Sequence, residues 1–240
     1  MAFGPERNTV IGRQAREAAV VDVGLRQYML GVYNYMASGL ALTGIVAVVV
    51  AMNPGLQQAI FGTPLMWVAI LAPVALVFLL SFRVHKMSAT AAQVTFWAYA
   101  ALNGIAFSTL FLAYTNESIA RVFFITAATF AGMSLYGYTT KRDLAGMGSF
   151  LFMGLIGVLI AMVVNLFLAS SALQFVISVI GVIVFTGLTA WDTQRIKEWY
   201  FEGDSRDVMG KKSIMGALSL YLDFINLFVM LMQLIGVRRN

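Results

Sequence analysis

Seven long apolar segments constrain the fold of this chain more than any other feature. Each is roughly 17–25 residues long, the length that an α-helix needs to cross a bilayer about 30 Å thick. Their hydrophobicity is continuous rather than alternating, so the pattern favours spanning helices over a β-barrel. The segments are Tyr28–Met52, Leu65–Phe82, Ala91–Tyr114, Ile119–Thr140, Ser149–Ala169, Ala172–Ile196 and Ile214–Gly236.

The composition is that of a polytopic membrane protein. Of the 240 residues, 60% are hydrophobic and 11% are charged, whereas in a soluble domain about half are apolar and a quarter charged. Cysteine is absent, which excludes a disulfide framework and a thiolate metal site. We therefore expect an all-α membrane protein with one seven-helix transmembrane domain, residues 27–240, after a polar tail, residues 1–26.

The basic residues predict the orientation of the chain. The net charge is +5, but the Lys and Arg residues lie between the apolar segments, which indicates topology and contact with anionic lipid rather than nucleic-acid binding. The four Arg residues of the tail predict a cytoplasmic N-terminus. Seven crossings would then leave Arg238 and Arg239 outside, against the positive-inside rule. Either this tail is too short to matter or the last segment does not fully cross, and we expect seven crossings.

Two carboxylates lie inside apolar segments and are candidate functional residues. Asp223 stands within ALSLYLDFINLFVMLMQLIG (Ala217–Gly236), and Asp192 stands a few residues before the charged end of the sixth segment. A charge in hydrocarbon costs at least about 2.5–3.5 kcal/mol, so both side chains should face the bundle interior or a watery cavity. If the last two helices are antiparallel, the two carboxyl groups can meet and share one proton.

Structural roles are the alternative to a functional carboxyl pair. Asp192 can reach the interface with Arg195, one helical turn further on, as its partner. Asp223 can instead be a protonated or hydrogen-bonded structural residue that bridges helices through Tyr221, Asn226 or a neighbouring Ser or Thr residue.

Small and amide residues inside the segments predict helix contacts. Ala128 and Gly132 are four residues apart, a spacing that allows two helices to approach closely. Asn103 and Asn165 predict hydrogen bonds between helices.

Three motifs resemble those of a known family, in their order and in their placement on the helices. The similarity to the Bax inhibitor-1 family, also called TMBIM, and to its bacterial members, runs from about Arg26 to Gly236. The motifs are YGYTTKRDLAGMGSFLFMGLIG (Tyr136–Gly157), LTAWDTQRIK (Leu188–Lys197) and LSLYLDFINLF (Leu218–Phe228).

The resemblance implies both an architecture and an activity. It implies six helices wrapped around a central C-terminal helix, and a pH-sensitive calcium leak of the bacterial inner membrane, without cofactor or enzymatic activity. Two aspartates of the family pair with each other and an arginine latches onto them; Asp192 and Asp223 match the pair, and Arg83, in LLSFRVHKM, matches the arginine. When ionised, two carboxylates form a hard but incomplete Ca²⁺ site, because a tight site uses about six to eight oxygens. Such weak, transient binding suits a permeant ion.

Two other classes of function fit a carboxyl pair in a membrane bundle. The chain can be a non-transporting regulator that binds another membrane protein, such as a quality-control protease. An intramembrane aspartyl protease also uses two aspartates, but its Gly-x-Gly-Asp signature is absent: Leu220-Tyr221-Leu222 precede one aspartate and Thr189-Ala190-Trp191 the other. Without the resemblance, Arg83 is an ordinary positive-inside residue.

Overall fold

Helices make up almost all of the described chain. The computed structural model describes the backbone of residues 5–239 and the side chains of residues 23–239. In the predicted tail 1–26, residues 1–4 and the side chains of residues 5–22, including those of Arg7, Arg13 and Arg16, lie outside the described part of the chain. The helices are α1 Pro5–Ala51, α2 Pro54–Phe61, α3 Leu65–Arg83, α4 Ala89–Ala113, α5 Asn116–Thr139, α6 Ala145–Leu168, α7 Ser171–Glu198 and α8 Arg206–Ile235, and a 3₁₀ turn, Val84–Lys86, follows α3.

Seven of these helices are long and apolar enough to cross a membrane. They correspond one for one to the seven apolar segments, with Val23–Ala51 as the spanning part of α1. The predicted all-α class and the seven spanning helices are therefore confirmed.

The short helix α2 was not predicted. The sequence Asn53-Pro54-Gly55 indicated only a break after the first segment, but the Asn53 side chain accepts a hydrogen bond from the Leu56 backbone N–H at 3.1 Å. Pro54 then occupies the first turn, where its missing N–H and fixed φ are favourable. An Asn-Pro pair thus ends one helix and begins the next.

Helix α8 is longer than the last apolar segment because it begins at Arg206 rather than Ile214. The Ser205 side chain caps the helix by accepting a hydrogen bond from the Val208 backbone N–H at 3.3 Å. Asp207 and Lys211, four residues apart, form an ion pair of 2.8 Å in the added turns. Polar turns therefore extend the helix beyond its apolar core and shorten the connection from α7.

Helix α8 lies at the centre of the bundle. In its most apolar stretch 72% of the residues are buried, compared with 11–39% for the other six spanning helices. It contacts α1, α4, α5 and α7. Apolarity alone does not require this position, because an apolar helix is equally stable against lipid. The polar side chains inside α8, Asp223 among them, favour the bundle interior. The predicted central C-terminal helix is confirmed.

Helix α8 also crosses the full thickness of the bundle. At its beginning, Asp207 Oδ1 accepts a hydrogen bond from the backbone N–H of Ala89, the first residue of α4, at 3.0 Å. After its end, the Arg239 N–H donates to the carbonyl oxygen of Ala113, the last residue of α4, also at 3.0 Å. The two helices therefore run parallel over one span. The ambiguity about the last segment is resolved in favour of a complete crossing.

Helices α5 and α7 approach each other closely at Gly137. A Cβ atom at this position would overlap the carbonyl oxygen of Ala190. Only glycine leaves room for this backbone contact. The contact holds α5 beside the turn of α7 that carries Asp192.

The contact that Ala128 and Gly132 predicted is not formed among the described residues. Both side-chain positions are exposed on the outside of α5, and a Cβ atom at Gly132 would meet no atom within 4 Å. The prediction was wrong because the spacing of small residues marks a face of a helix and not the neighbour that it meets.

We expect Gly137→Ala to lower the thermal stability of the purified protein, because overpacking against a backbone atom costs about 1–3 kcal/mol. The measurement is the melting temperature in detergent, followed by tryptophan fluorescence. The matched control is Gly132→Ala on the same helix, where the new methyl group meets no neighbour. Equal melting temperatures for the two variants would contradict the close contact.

Candidate functional site

Asp192 on α7 and Asp223 on α8 lie where these two helices pack against each other. Towards one end of the helix pair Gly216 packs against Ile196, and towards the other end Gly181 packs against Met230. These two contacts set the antiparallel register of α7 and α8. The paired helices thus place Asp192 and Asp223 at similar depth.

Both carboxyl groups are withdrawn from the outside of the bundle. Asp192 is 7% exposed and Asp223 is 4% exposed. The two side chains are neighbours across the α7–α8 contact. A carboxyl group donates a hydrogen bond only when it carries a proton, so a hydrogen bond between the two groups would need one shared proton. The shared proton and the role of the pair stay predictions.

The inner oxygen of Asp223 has no hydrogen-bond partner among the described residues. Its Oδ2 atom is buried and accepts no hydrogen bond from an N–H or hydroxyl donor. The two residues that the sequence analysis named as partners bond elsewhere: the Tyr221 hydroxyl bonds with Thr43 Oγ1 at 2.7 Å, and Asn226 Nδ2 donates to the Leu222 carbonyl oxygen at 2.8 Å. Neither Tyr221 nor Asn226 therefore bridges Asp223 to another helix.

Arg195 is the cation beside the carboxyl pair. Its Nη2 atom lies 2.8 Å from Asp192 Oδ1, one turn along α7. Its guanidinium group lies between two indole rings, 4.5 Å from the Trp191 centroid and 5.2 Å from that of Trp199. These cation–π contacts hold the positive charge in place at the rim of the buried site.

Arg83 lies away from the carboxyl pair in this structure. It is exposed in the last turn of α3, and the ion pairs formed among the described side chains do not include it. The structure thus brings Asp192 and Asp223 together with Arg195, which the sequence indicated only as a local partner of Asp192.

A chain of three hydroxyl groups lies next to the site, on the side of α7 that faces α5. Tyr33 on α1 bonds with Ser134 Oγ on α5 at 2.6 Å, and Ser134 Oγ bonds with Thr193 Oγ1 on α7 at 3.0 Å. Thr193 in turn donates to the Thr189 carbonyl oxygen at 2.7 Å. Because each hydroxyl donates once, the bonds run in one direction from Tyr33. No sequence pattern signalled this chain.

A second polar cluster ties α6, α7 and α8 together at the opposite end of the bundle. Asn165 Nδ2 donates to Gln174 Oε1 at 3.1 Å, and Gln174 Nε2 donates to Gln233 Oε1 at 2.6 Å. The predicted interhelical role of Asn165 is confirmed. Asn103 differs, since its side-chain amide donates to the Tyr99 carbonyl oxygen within the same helix.

Within residues 23–239, no group of three or more His, Cys, Asp or Glu side chains is arranged to hold a metal ion. The carboxyl pair offers a cation oxygen atoms from two side chains. The arrangement is chemically suited to exchanging a proton and to attracting a cation weakly, rather than to holding a resident metal.

Comparison with known proteins places this bundle in a family. The family model described as "Inhibitor of apoptosis-promoting Bax1" matches residues 25–240. An uncharacterized protein of Rickettsia prowazekii is 51% identical over 221 residues, which cover 91% of this chain and 93% of that protein. The inner membrane protein YbhL of Escherichia coli is 48% identical over 219 residues, 90% and 94% of the two chains.

A third relative, an uncharacterized protein of Caulobacter vibrioides, is 44% identical over 230 residues, 92% of each chain. The alignments thus extend over almost the whole of each relative, and the family match includes the helices that carry the two aspartates. On the evidence of this family match and these relatives, the chain belongs to the Bax inhibitor-1 family.

Proposed function

We propose that this protein is a pH-sensitive cation leak, chiefly for Ca²⁺, of a bacterial inner membrane. The observation that carries the proposal is the buried pair of carboxyl groups, Asp192 and Asp223, on the two most buried spanning helices. Ionisable residues inside spanning helices are rare, and they commonly mark ion or proton paths. The name of the E. coli relative supports the inner-membrane location.

Proton and cation compete for the same oxygen atoms in this proposal. With one shared proton the pair carries a single negative charge, and loss of that proton creates a doubly negative site of hard oxygen ligands. Ca²⁺ occupancy therefore falls as the pH falls. The small number of oxygens keeps binding weak, which lets the ion leave again. The protein acts as a transport protein, without a resident cofactor and without enzymatic activity.

Two arginines serve as counter-charges in this proposal. In the described conformation Arg195 lies against Asp192. Arg83 takes the role of a latch in a second conformation, in which the end of α3 approaches the carboxyl pair. The position of α3 supports this, because α3 packs mainly on α4 and the short α2 rather than on the central helix.

The carboxyl pair is tested by calcium flux into liposomes that contain the purified protein and a calcium-sensitive dye. We expect wild-type flux to change between mildly acidic and mildly basic pH. The double variant Asp192→Asn, Asp223→Asn cannot titrate, so its flux should be low and independent of pH. The control Glu202→Gln removes an exposed loop carboxylate and should behave as wild type.

Folding of each variant is checked by its melting temperature and its elution from a sizing column. If the folded double variant leaks with the wild-type pH profile, the carboxyl pair does not carry the ion. If the wild-type protein shows no flux while a membrane-protein partner is captured with it from membranes, the regulator function replaces the leak.

The counter-charges are tested separately, in the same liposomes. Arg195→Gln should move the pH midpoint of flux upward by about one pH unit, because loss of a neighbouring positive charge disfavours the ionised carboxylates. Arg83→Gln should also alter the profile if it acts as a latch, whereas the adjacent surface variant Lys86→Gln should not. A wild-type profile for Arg83→Gln would remove the latch and leave the carboxyl pair in place.

A further inference from the structure

A groove of about 590 Å³ separates α1 from α5 on the outside of the bundle. Its walls are apolar and include Leu30, Phe130 and Leu135. The two helices pack mainly on other partners, α1 on α4 and α8, and α5 on α7 and α8. The Tyr33–Ser134 hydrogen bond joins them at the floor of the groove. An apolar surface therefore lies open to the membrane over a polar floor.

The groove runs along the helices and is about as long as part of a lipid acyl chain. On α1 its lining runs from Arg26 to Tyr33, and on the antiparallel α5 from Tyr138 to Phe130. At 1.5 Å per residue these stretches are about 10 Å and about 12 Å long. The groove thus starts at the end of the bundle that carries Arg26 and extends through most of one leaflet, whose hydrocarbon is about 15 Å deep.

The mouth of the groove is basic. Arg26 is exposed there. Lys197 contacts Tyr138, which lines the same end of the groove: its Nζ atom donates to the Tyr138 carbonyl oxygen at 2.9 Å and lies 5.5 Å from the Tyr138 ring centroid. Among the described residues that line the groove, none is acidic. Basic pockets between spanning helices on the cytoplasmic side recognise anionic lipid headgroups, and the basic end is the one that the positive-inside rule assigns to the cytoplasm.

We infer that this groove binds one anionic phospholipid. One acyl chain lies between α1 and α5, and the phosphate is held by Arg26 with Lys197 nearby. The chain covers the Tyr33–Ser134 bond and keeps water and competing polar groups away from it. Because the same hydroxyl chain reaches Thr193, next to Asp192, the lipid stabilises the packing of α1 and α5 around the carboxyl site.

The test is native mass spectrometry of the full chain in detergent, with added phosphatidylglycerol or with phosphatidylcholine of the same acyl chains. We expect wild-type protein to retain one phosphatidylglycerol more strongly than phosphatidylcholine. Arg26→Gln removes one positive charge near the headgroup and should weaken phosphatidylglycerol retention about fivefold, with little effect on phosphatidylcholine. Ala131→Phe fills the groove and should weaken both lipids.

Two matched controls accompany these variants. Lys86→Gln removes a charge from the same end of the bundle outside the groove, and Ala128→Phe adds a ring to an exposed position of α5 outside the groove. Both should retain lipid as wild type does. Equal retention of the two lipids by wild type, or wild-type retention by Arg26→Gln and Ala131→Phe, would overturn the site. Arg26→Gln alters only an exposed side chain, so the inference stays testable if Ala131→Phe does not fold.

Discussion

A buried carboxyl group needs a partner, because hydrocarbon offers it neither hydrogen bonds nor counter-charge. The organisation of this bundle follows from that constraint. Asp223 lies on the most buried helix, where Tyr221 and Asn226 already have other partners. Asp192 is the group that remains within reach, and it also contacts Arg195. The antiparallel packing of α7 on α8 therefore buries apolar side chains and also gives the buried carboxyl group of Asp223 a polar neighbour.

The bundle keeps its polar interactions inside and exposes many large apolar side chains on its outer surface. Thr43 and Tyr221 join α1 to α8, the hydroxyl chain joins α1, α5 and α7, and the amide cluster joins α6, α7 and α8. Outward-facing residues such as Phe82 and Phe167 are 76% and 84% exposed, which is unfavourable in water and ordinary against lipid. Without a hydrophobic driving force between helices in lipid, close packing and interior hydrogen bonds determine which helices meet.

Prediction from the sequence succeeded where a residue's placement follows from its own segment. The lengths of the apolar segments predicted seven crossings, and the cost of burying a charge predicted that Asp192 and Asp223 lie inside the bundle, as they do. Their functional role stays a prediction. Prediction failed where the role depends on a neighbour in space. Gly132 has the spacing of a contact residue but faces outward, whereas Gly137 meets the backbone of Ala190. The hydroxyl chain from Tyr33 had no signal, since single Ser and Thr residues are common in apolar helices.

The sequence by itself determined that the chain folds in a lipid bilayer, how many helices span it and which two acidic residues lie inside apolar segments. Hydrophobic length and charge are local properties of the chain, so the sequence alone can give them. Only the tertiary structure decided which helices meet, which cation lies beside the carboxyl pair and which surfaces stay open to lipid. Arg83 and Arg195 are both basic residues near helix ends, and their sequence context does not measure their distance from Asp192. That distance is set by the packing and register of helices that are remote in sequence, which the side chains of several helices determine together.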